Sequence, residues 1–133
     1  MSEKAPIKVR DVMKAEFDVV DGMATIDQAV ERMQHVDTKC LIVDKRHEND
    51  EYGILLLSDI ARKVLARDLA MDRVNVYEIM AKPVLHVDPE MDIRYCARFL
   101  DRFDLSRAPV VENRKVIGIV SYTDLVLKGL CRK

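Results

Sequence analysis

The sequence predicts an α/β (α+β) fold in which one β-α-β-β-α unit is written twice. Three observations carry that expectation. A short signature recurs, Val9-Arg10-Asp11-Val12-Met13 and Val76-Tyr77-Glu78-Ile79-Met80. A helix of the same apolar phase follows each copy. A stretch that starts with glycine and ends in an acid, Gly53 to Asp59 and Gly118 to Asp124, leads into the last helix of each copy. Self-similarity at a fixed period takes precedence over any local motif in reading a fold.

Each signature is followed by a short extended segment, Phe17-Asp18-Val19-Val20 or Val84-Leu85-His86-Val87, and then by Asp21 or Asp88. The next helix carries Ile26, Ala29, Val30 and Met33 in the first copy and Ile93, Cys96, Ala97 and Leu100 in the second. That spacing, i, i+3, i+4, i+7, puts the apolar residues on one face. Thr25 with Gln28 has the form of a capping box, and Asp92 holds the N-cap place in the second copy. Cys40-Leu41-Ile42-Val43-Asp44 and Ala108-Pro109-Val110-Val111-Glu112 are dense in β-branched residues and read as strands. Polar turns, Arg46 to Glu51 and Asn113 to Lys115, connect them to strands that begin at Gly53 and Gly118. Final helices are expected from about Asp59 past Leu65 and from about Asp124 to Leu127.

These limits give an N-terminal segment over 1–8, a first motif over 9–66, a connector over 67–75 and a second motif over 76–130. The first eight or so residues and Cys131-Arg132-Lys133 are expected to fray. The connector, charged and without Gly or Pro, is expected to be ordered. A copy of about 55 to 60 residues is at the lower edge of what folds well alone. Two copies packed sheet against sheet would cover the apolar face that each leaves open, so one duplicated domain is expected.

Composition excludes several classes. Of 133 residues, 49% are hydrophobic and 34% charged, and the net charge of −1 offers no global attraction to nucleic acid or anionic membrane. No apolar run approaches the roughly 18 residues a membrane span needs. Met1-Ser2-Glu3-Lys4 is too polar for a signal peptide, so a soluble, cytoplasmic chain is expected. Cys40, Cys96 and Cys131 make neither a disulfide framework nor a zinc spacing, and Cys40 and Cys96 are expected to be buried thiols. His35, His47 and His86 form no metal spacing. No nucleophile motif, Walker-type loop or G-x-G-x-x-G occurs. No catalytic residue, metal or catalytic cofactor is expected, and the chain is read as no enzyme.

The order signature, strand, capped helix, strand, Gly-apolar-apolar-Ser-x-x-Asp, helix resembles the CBS domain, from about Val9 to Leu130. Two such motifs in tandem resemble a Bateman module. The resemblance implies two motifs packed about a pseudo-twofold axis, with clefts that take an adenine nucleotide: AMP, ADP, ATP, S-adenosylmethionine or NAD(H). It also implies a homodimer and a regulatory role. No attached catalytic domain is legible, so the regulated protein is expected to be a separate partner of unknown identity.

In the second copy, the resemblance implies that Asp124 holds the ribose and that Ser121 and Thr123 meet phosphate. A carboxylate accepting from ribose hydroxyls and N–H groups at a helix start facing phosphate are sound chemistry in any fold. Arg107 is the candidate phosphate grip, with Lys39 its counterpart in the first copy. Val84, Pro109 and Ile119 are candidate walls for adenine. Tyr122 could stack on a base, but is read first as anchoring its own strand.

In the first copy the candidates are Asp59, Ser58, Lys39, Ile54 and Phe17. There Leu56 stands where Ser121 stands, and a leucine donates nothing to phosphate, so that site is expected to be weaker, altered in preference, or empty. The residues by themselves also allow Asp124 to be an ordinary helix N-cap. Asparagine caps as well as aspartate, so Asp124→Asn is expected to leave stability little changed. The alternative reading is a ligand-free homodimeric adaptor with vestigial clefts. The final helices, Ile60 to Leu65 and Leu125 to Leu130, are apolar enough to serve as its interface.

Overall fold

The computed structural model describes residues 5–131. In chain order the elements are α1 (Val9–Val12), β1 (Val19–Val20), α2 (Ile26–Glu31), β2 (Cys40–Val43), β3 (Gly53–Leu56), α3 (Leu57–Ile60), α4 (Val76–Ile79), α5 (Ile93–Arg102), β4 (Arg107–Glu112), β5 (Lys115–Ser121) and α6 (Tyr122–Asp124). A 3₁₀ turn at Val36–Thr38 precedes β2. Both α3 and α6 continue as π-helical runs, Ala61–Leu65 and Leu125–Leu130. The two final helices thus begin at Leu57 and Tyr122, earlier than the acids that suggested them, and the second runs on to Leu130.

The chain forms two compact units. One is Phe17–Val84; the other joins the chain up to Glu16 with the chain from Leu85 onward. In the first unit β1 runs parallel to β2 (Val19↔Ile42, Val20↔Val43), and β2 runs antiparallel to β3 from Cys40↔Leu56 to Val43↔Gly53. The core is Ile26 and Ala29 from α2, Leu41, Val43 and Leu55 from the sheet, Ile60 and Val64, and Val76 and Ile79 from α4. The expected apolar face is narrower than its sequence spacing: Val30 is exposed. The helix is also short: α2 stops at Glu31, and beyond it the Asp18 carboxylate accepts from the Gln34 and His35 N–H groups at 3.0 and 2.8 Å. Gln28 accepts from the Thr25 N–H at 3.1 Å, the backbone half of the expected capping box, while the Thr25 hydroxyl turns to Asp27.

In the other unit β4 pairs antiparallel with β5, with a register shift between Val110 and Val111. The second extended segment contributes only Val87, whose N–H donates to Pro109 O and whose carbonyl accepts from the Val111 N–H, both at 3.0 Å. Asp92 caps α5, accepting from the Arg94 N–H at 2.8 Å. Ile93, Cys96 and Leu100 on that helix join Val9, Val12, Val110, Val120 and Leu125 in the core.

The signature helices are exchanged relative to the sequence repeat. Val9 donates to Met91 O and Lys14 to Ile119 O, so α1 belongs with the second copy. Val76 donates to Ala24 O and Ala81 to Ile54 O, so α4 belongs with the first. The boundaries 9–66 and 76–130 therefore mark the repeat in the sequence, whereas the compact units are offset from it. Within the connector, Val74 is buried and accepts from the Ile26 N–H at 2.9 Å.

The expected fraying does not extend through Ile7 and Lys8. Ile7 O accepts from the Ile93 N–H at 2.9 Å, and Lys8 pairs with Glu90 at 2.7 Å. Cys131 likewise donates to Val126 O at 2.9 Å. Residues 1–4 and 132–133 lie outside the described residues.

Gly118 is needed because the signature segment comes so close. A Cβ there would lie 2.7 Å from Met13 Sδ and 2.8 Å from Lys14 O. At Gly53 the matching distances, to Met80 Sδ and Ala81 O, are 3.0 and 3.2 Å. Cys40 and Cys96 are buried free thiols and Cys131 is exposed; burial pushes the Cys96 thiol up to about 11. Among the described residues no helix is long and apolar enough to cross a membrane.

Candidate functional site

The site of the second copy grows from the junction of β5 and α6. Ser121 ends the strand in an extended conformation and caps the helix: its Oγ accepts from the Asp124 N–H at 3.3 Å. Asp124 replies through Oδ2, which accepts from the Ser121 N–H at 3.1 Å and from its hydroxyl at 3.0 Å. Asp124 is thus not the N-cap that the residues alone allowed. It is the third helical residue of a reciprocal box whose cap is Ser121.

Its other oxygen, Oδ1, receives Lys14 Nζ at 2.5 Å, with Lys128 Nζ at 3.8 Å. The Asp124 side chain is 2% exposed and that of Lys14 is 19% exposed, so this ion pair sits largely out of water. Lys14 is held in place by its backbone, which both donates to and accepts from Ile119, at 2.8 and 2.9 Å. Lys14 was not among the residues singled out from the sequence. The repeat does offer a signal for it, since Lys14 follows Met13 where Ala81 follows Met80.

Across the ladder, Arg107 is the direct partner of Ser121 and Pro109 that of Ile119. Opposed residues share a face of the sheet, so Arg107 flanks the capped helix start, and its Nε donates to Ser106 Oγ at 3.2 Å. Ile119 and Pro109 are buried, whereas Thr123 is exposed in the first turn of the helix. Asp124, Ser121, Thr123, Arg107, Ile119 and Pro109 therefore belong to one unit. Val84 does not; it lies in the unit of the first copy, where its N–H donates to Tyr52 O at 3.1 Å. Tyr122 is no buried anchor: it opens α6 with 40% exposure, and partial burial and the nearby Asp101 and Asp104 carboxylates raise its hydroxyl's pKa.

In the first copy Leu56 occupies the cap position without any side-chain bond, and Asp59 is taken by Arg62 Nη2 at 2.6 Å. Ser58 is exposed, Ile54 buried and Phe17 half-buried. Lys39 is not the counterpart of Arg107. The residue opposite Leu56 is Cys40, while Lys39 lies outside the strand at φ 59° and its carbonyl accepts from the Leu57 N–H at 3.1 Å. The spacing that relates Val9 to Val76 and Ile26 to Ile93 also relates Cys40 to Arg107, so the alignment of Lys39 with Arg107 is one residue out of phase with the repeat.

A separate cleft of about 430 Å³ opens at the far end of β2, lined by Met23, Val43, Asp44, Arg46, Tyr77 and Lys82 among others. No residue singled out for ligand binding lines it. Beside it the Asp50 carboxylate accepts from Lys82 Nζ at 2.8 Å and from the Arg46 N–H at 2.9 Å. These bonds hold its carboxyl far below the usual carboxylate range, Lys82 first among them.

The fold, a sheet-and-helix motif written twice with an acid at the start of each last helix, defines a tandem CBS-motif protein. The family model for the CBS domain matches residues 9–66 and 76–129. The chain belongs to the CBS-domain family. An uncharacterised protein of Methanocaldococcus jannaschii is 25% identical over 81% of this chain, which spans only 59% of that protein's length. Among solved structures, a hexameric CBS-CP12 protein from bloom-forming cyanobacteria shares 36% identity with a TM-score of 0.89, covering 94% of this chain and 69% of that one. The CBS domain pair of protein MJ0100, in complex with 5′-methylthioadenosine and S-adenosyl-L-methionine, has a TM-score of 0.79 at 23% identity, over 97% of this chain and 100% of that one.

Proposed function

We propose that this chain is a regulatory module, not an enzyme, that binds an adenine nucleotide at the Asp124 site and acts on a separate partner protein. The observation that carries the reading is the buried Asp124 carboxylate, set at a capped helix start with Arg107 opposite its capping serine. Such an acid can accept from ribose hydroxyls, while Thr123 and Arg107 offer donors to phosphate; Ser121, whose N–H and hydroxyl proton both go to Asp124, serves by holding that carboxylate in place. Membership of the family and the adenosine ligands of the MJ0100 pair support the ligand class. The working compartment in this reading is the cytoplasm.

The first-copy site is the weaker one, since the opposed pair Leu56 and Cys40 offers neither the hydroxyl nor the guanidinium of Ser121 and Arg107. The adaptor reading has its support there. Titration calorimetry with AMP, ADP, ATP, S-adenosylmethionine and NADH should give one tight site per chain, the other at least about tenfold weaker, or about 1.4 kcal/mol. Two indistinguishable sites would defeat the asymmetry, and silence toward all five ligands would leave the adaptor. A homodimer through the final helices belongs to both readings. Leu65, Val126, Leu127 and Leu130 are exposed there, and sedimentation showing a monomer with and without ligand would remove it.

A further inference from the structure

We propose that Lys14 makes the Asp124 site selective for adenosine ligands that carry a phosphate over those whose 5′ substituent is neutral or cationic. The inference rests on the nucleotide reading above and deepens it to a ligand class. Oδ2 of Asp124 is committed to the Ser121 N–H and hydroxyl, so a ribose must be received at Oδ1, where Lys14 Nζ already sits. A carboxylate oxygen has two lone-pair sites, so the hydroxyl either shares Oδ1 with the ammonium or displaces it.

In both cases the ammonium stays near the ligand, because the paired backbones of Lys14 and Ile119 anchor the side chain's root. Lys14 is also mostly withdrawn from water. An ammonium in that position whose carboxylate is shared or lost needs a replacement anion, since an unpaired charge out of water is costly. A phosphate at the ligand's 5′ end supplies one. A thioether leaves the charge without a partner, and a sulfonium adds a second positive charge in a medium of low dielectric. Ala81 stands at the matching position of the first copy, so the requirement is confined to one site.

The test uses the full chain and two probes with the same adenosine moiety, AMP and 5′-methylthioadenosine, titrated into wild type, Lys14→Ala and Lys14→Arg. Wild type should bind AMP at least tenfold more tightly than the thioether. In Lys14→Ala the ratio should fall below about threefold, with the thioether gaining affinity as the carboxylate is freed. Lys14→Arg keeps the charge and should keep most of the preference. Far-UV circular dichroism establishes that each variant is folded, and should Lys14→Ala not fold, Lys14→Met retains the apolar stem and takes its place. An unchanged ratio in the folded neutral variant overturns the role of Lys14 while leaving nucleotide binding intact. Wild type that prefers the thioether does the same. Wild type that binds neither probe nor any other adenine compound overturns both readings together.

Discussion

Arg107 stands directly across the β4–β5 ladder from Ser121, the residue that caps α6. The same register in the first unit holds Cys40 and Leu56. One cross-strand pair therefore sets a guanidinium beside a hydroxyl at the start of a helix, and its equivalent sets a thiol beside an alkyl chain. The two sites differ in two opposed residues, not in one.

Arg107→Ala is expected to weaken AMP binding by roughly 1.5–3 kcal/mol, the range for a hydrogen bond to a charged group. Arg107→Lys should restore only part of it, because an ammonium cannot grip phosphate through two parallel bonds. Melting should shift little, since the Arg107 bond to Ser106 is exposed and surface substitutions usually change stability by no more than about 0.5 kcal/mol. Calorimetry and a thermal melt on the same preparations check both halves; equal affinities for wild type and Arg107→Ala would remove Arg107 from the site.

Asp124→Asn should destabilise the fold by about 1–3 kcal/mol, because it strips Lys14 of its counter-charge in a largely dry position. The expectation that asparagine would substitute freely fails here: the cap is Ser121, and the acid bonds both to it and to Lys14. In a double-mutant cycle with Lys14→Met, the two losses should fall short of adding by more than about 0.5 kcal/mol. Urea denaturation of the four proteins measures the coupling, and strict additivity would mean the pair contributes nothing.

Gly118→Ala should cost more than Gly53→Ala. At Gly118 the added methyl meets a backbone carbonyl at 2.8 Å, and at Gly53 the nearest carbonyl is 3.2 Å away. Backbone yields less readily than a methionine tail, and overpacking of this kind costs about 1–3 kcal/mol. Chemical denaturation should rank the two variants in that order, with the reverse order arguing against the close approach of Met13 and Lys14.

Asp50 gives stability a defined acid dependence. Its bonds to Lys82 and Arg46 hold its folded pKa far below an unfolded aspartate's value of about 3.9. A group depressed in the folded state contributes fully above the unfolded pKa, and the contribution declines as pH falls below it. Asp50→Asn should therefore melt below wild type at pH 7, and the gap should narrow as pH is lowered from about 5 toward 3. A gap that stays constant over that range would mean that Asp50 acts through packing and not through charge.

The duplication was legible in the linear chain because helix and strand periods, cap residues and the Gly-to-acid stretch are local features, and they recur in the same order. So was the difference between Leu56 and Ser121, which needs only an alignment of the two copies. Tertiary structure alone decided three things. It attached each signature helix to the other copy's unit, it set Arg107 opposite Ser121 across the ladder, and it brought Lys14 to Asp124. The last two residues are separated by 110 positions in the chain. Sequence order records which residues match; which carboxylate an ammonium meets depends on the strand edge to which the chain returns. That edge is chosen by burial and backbone pairing summed over a whole unit.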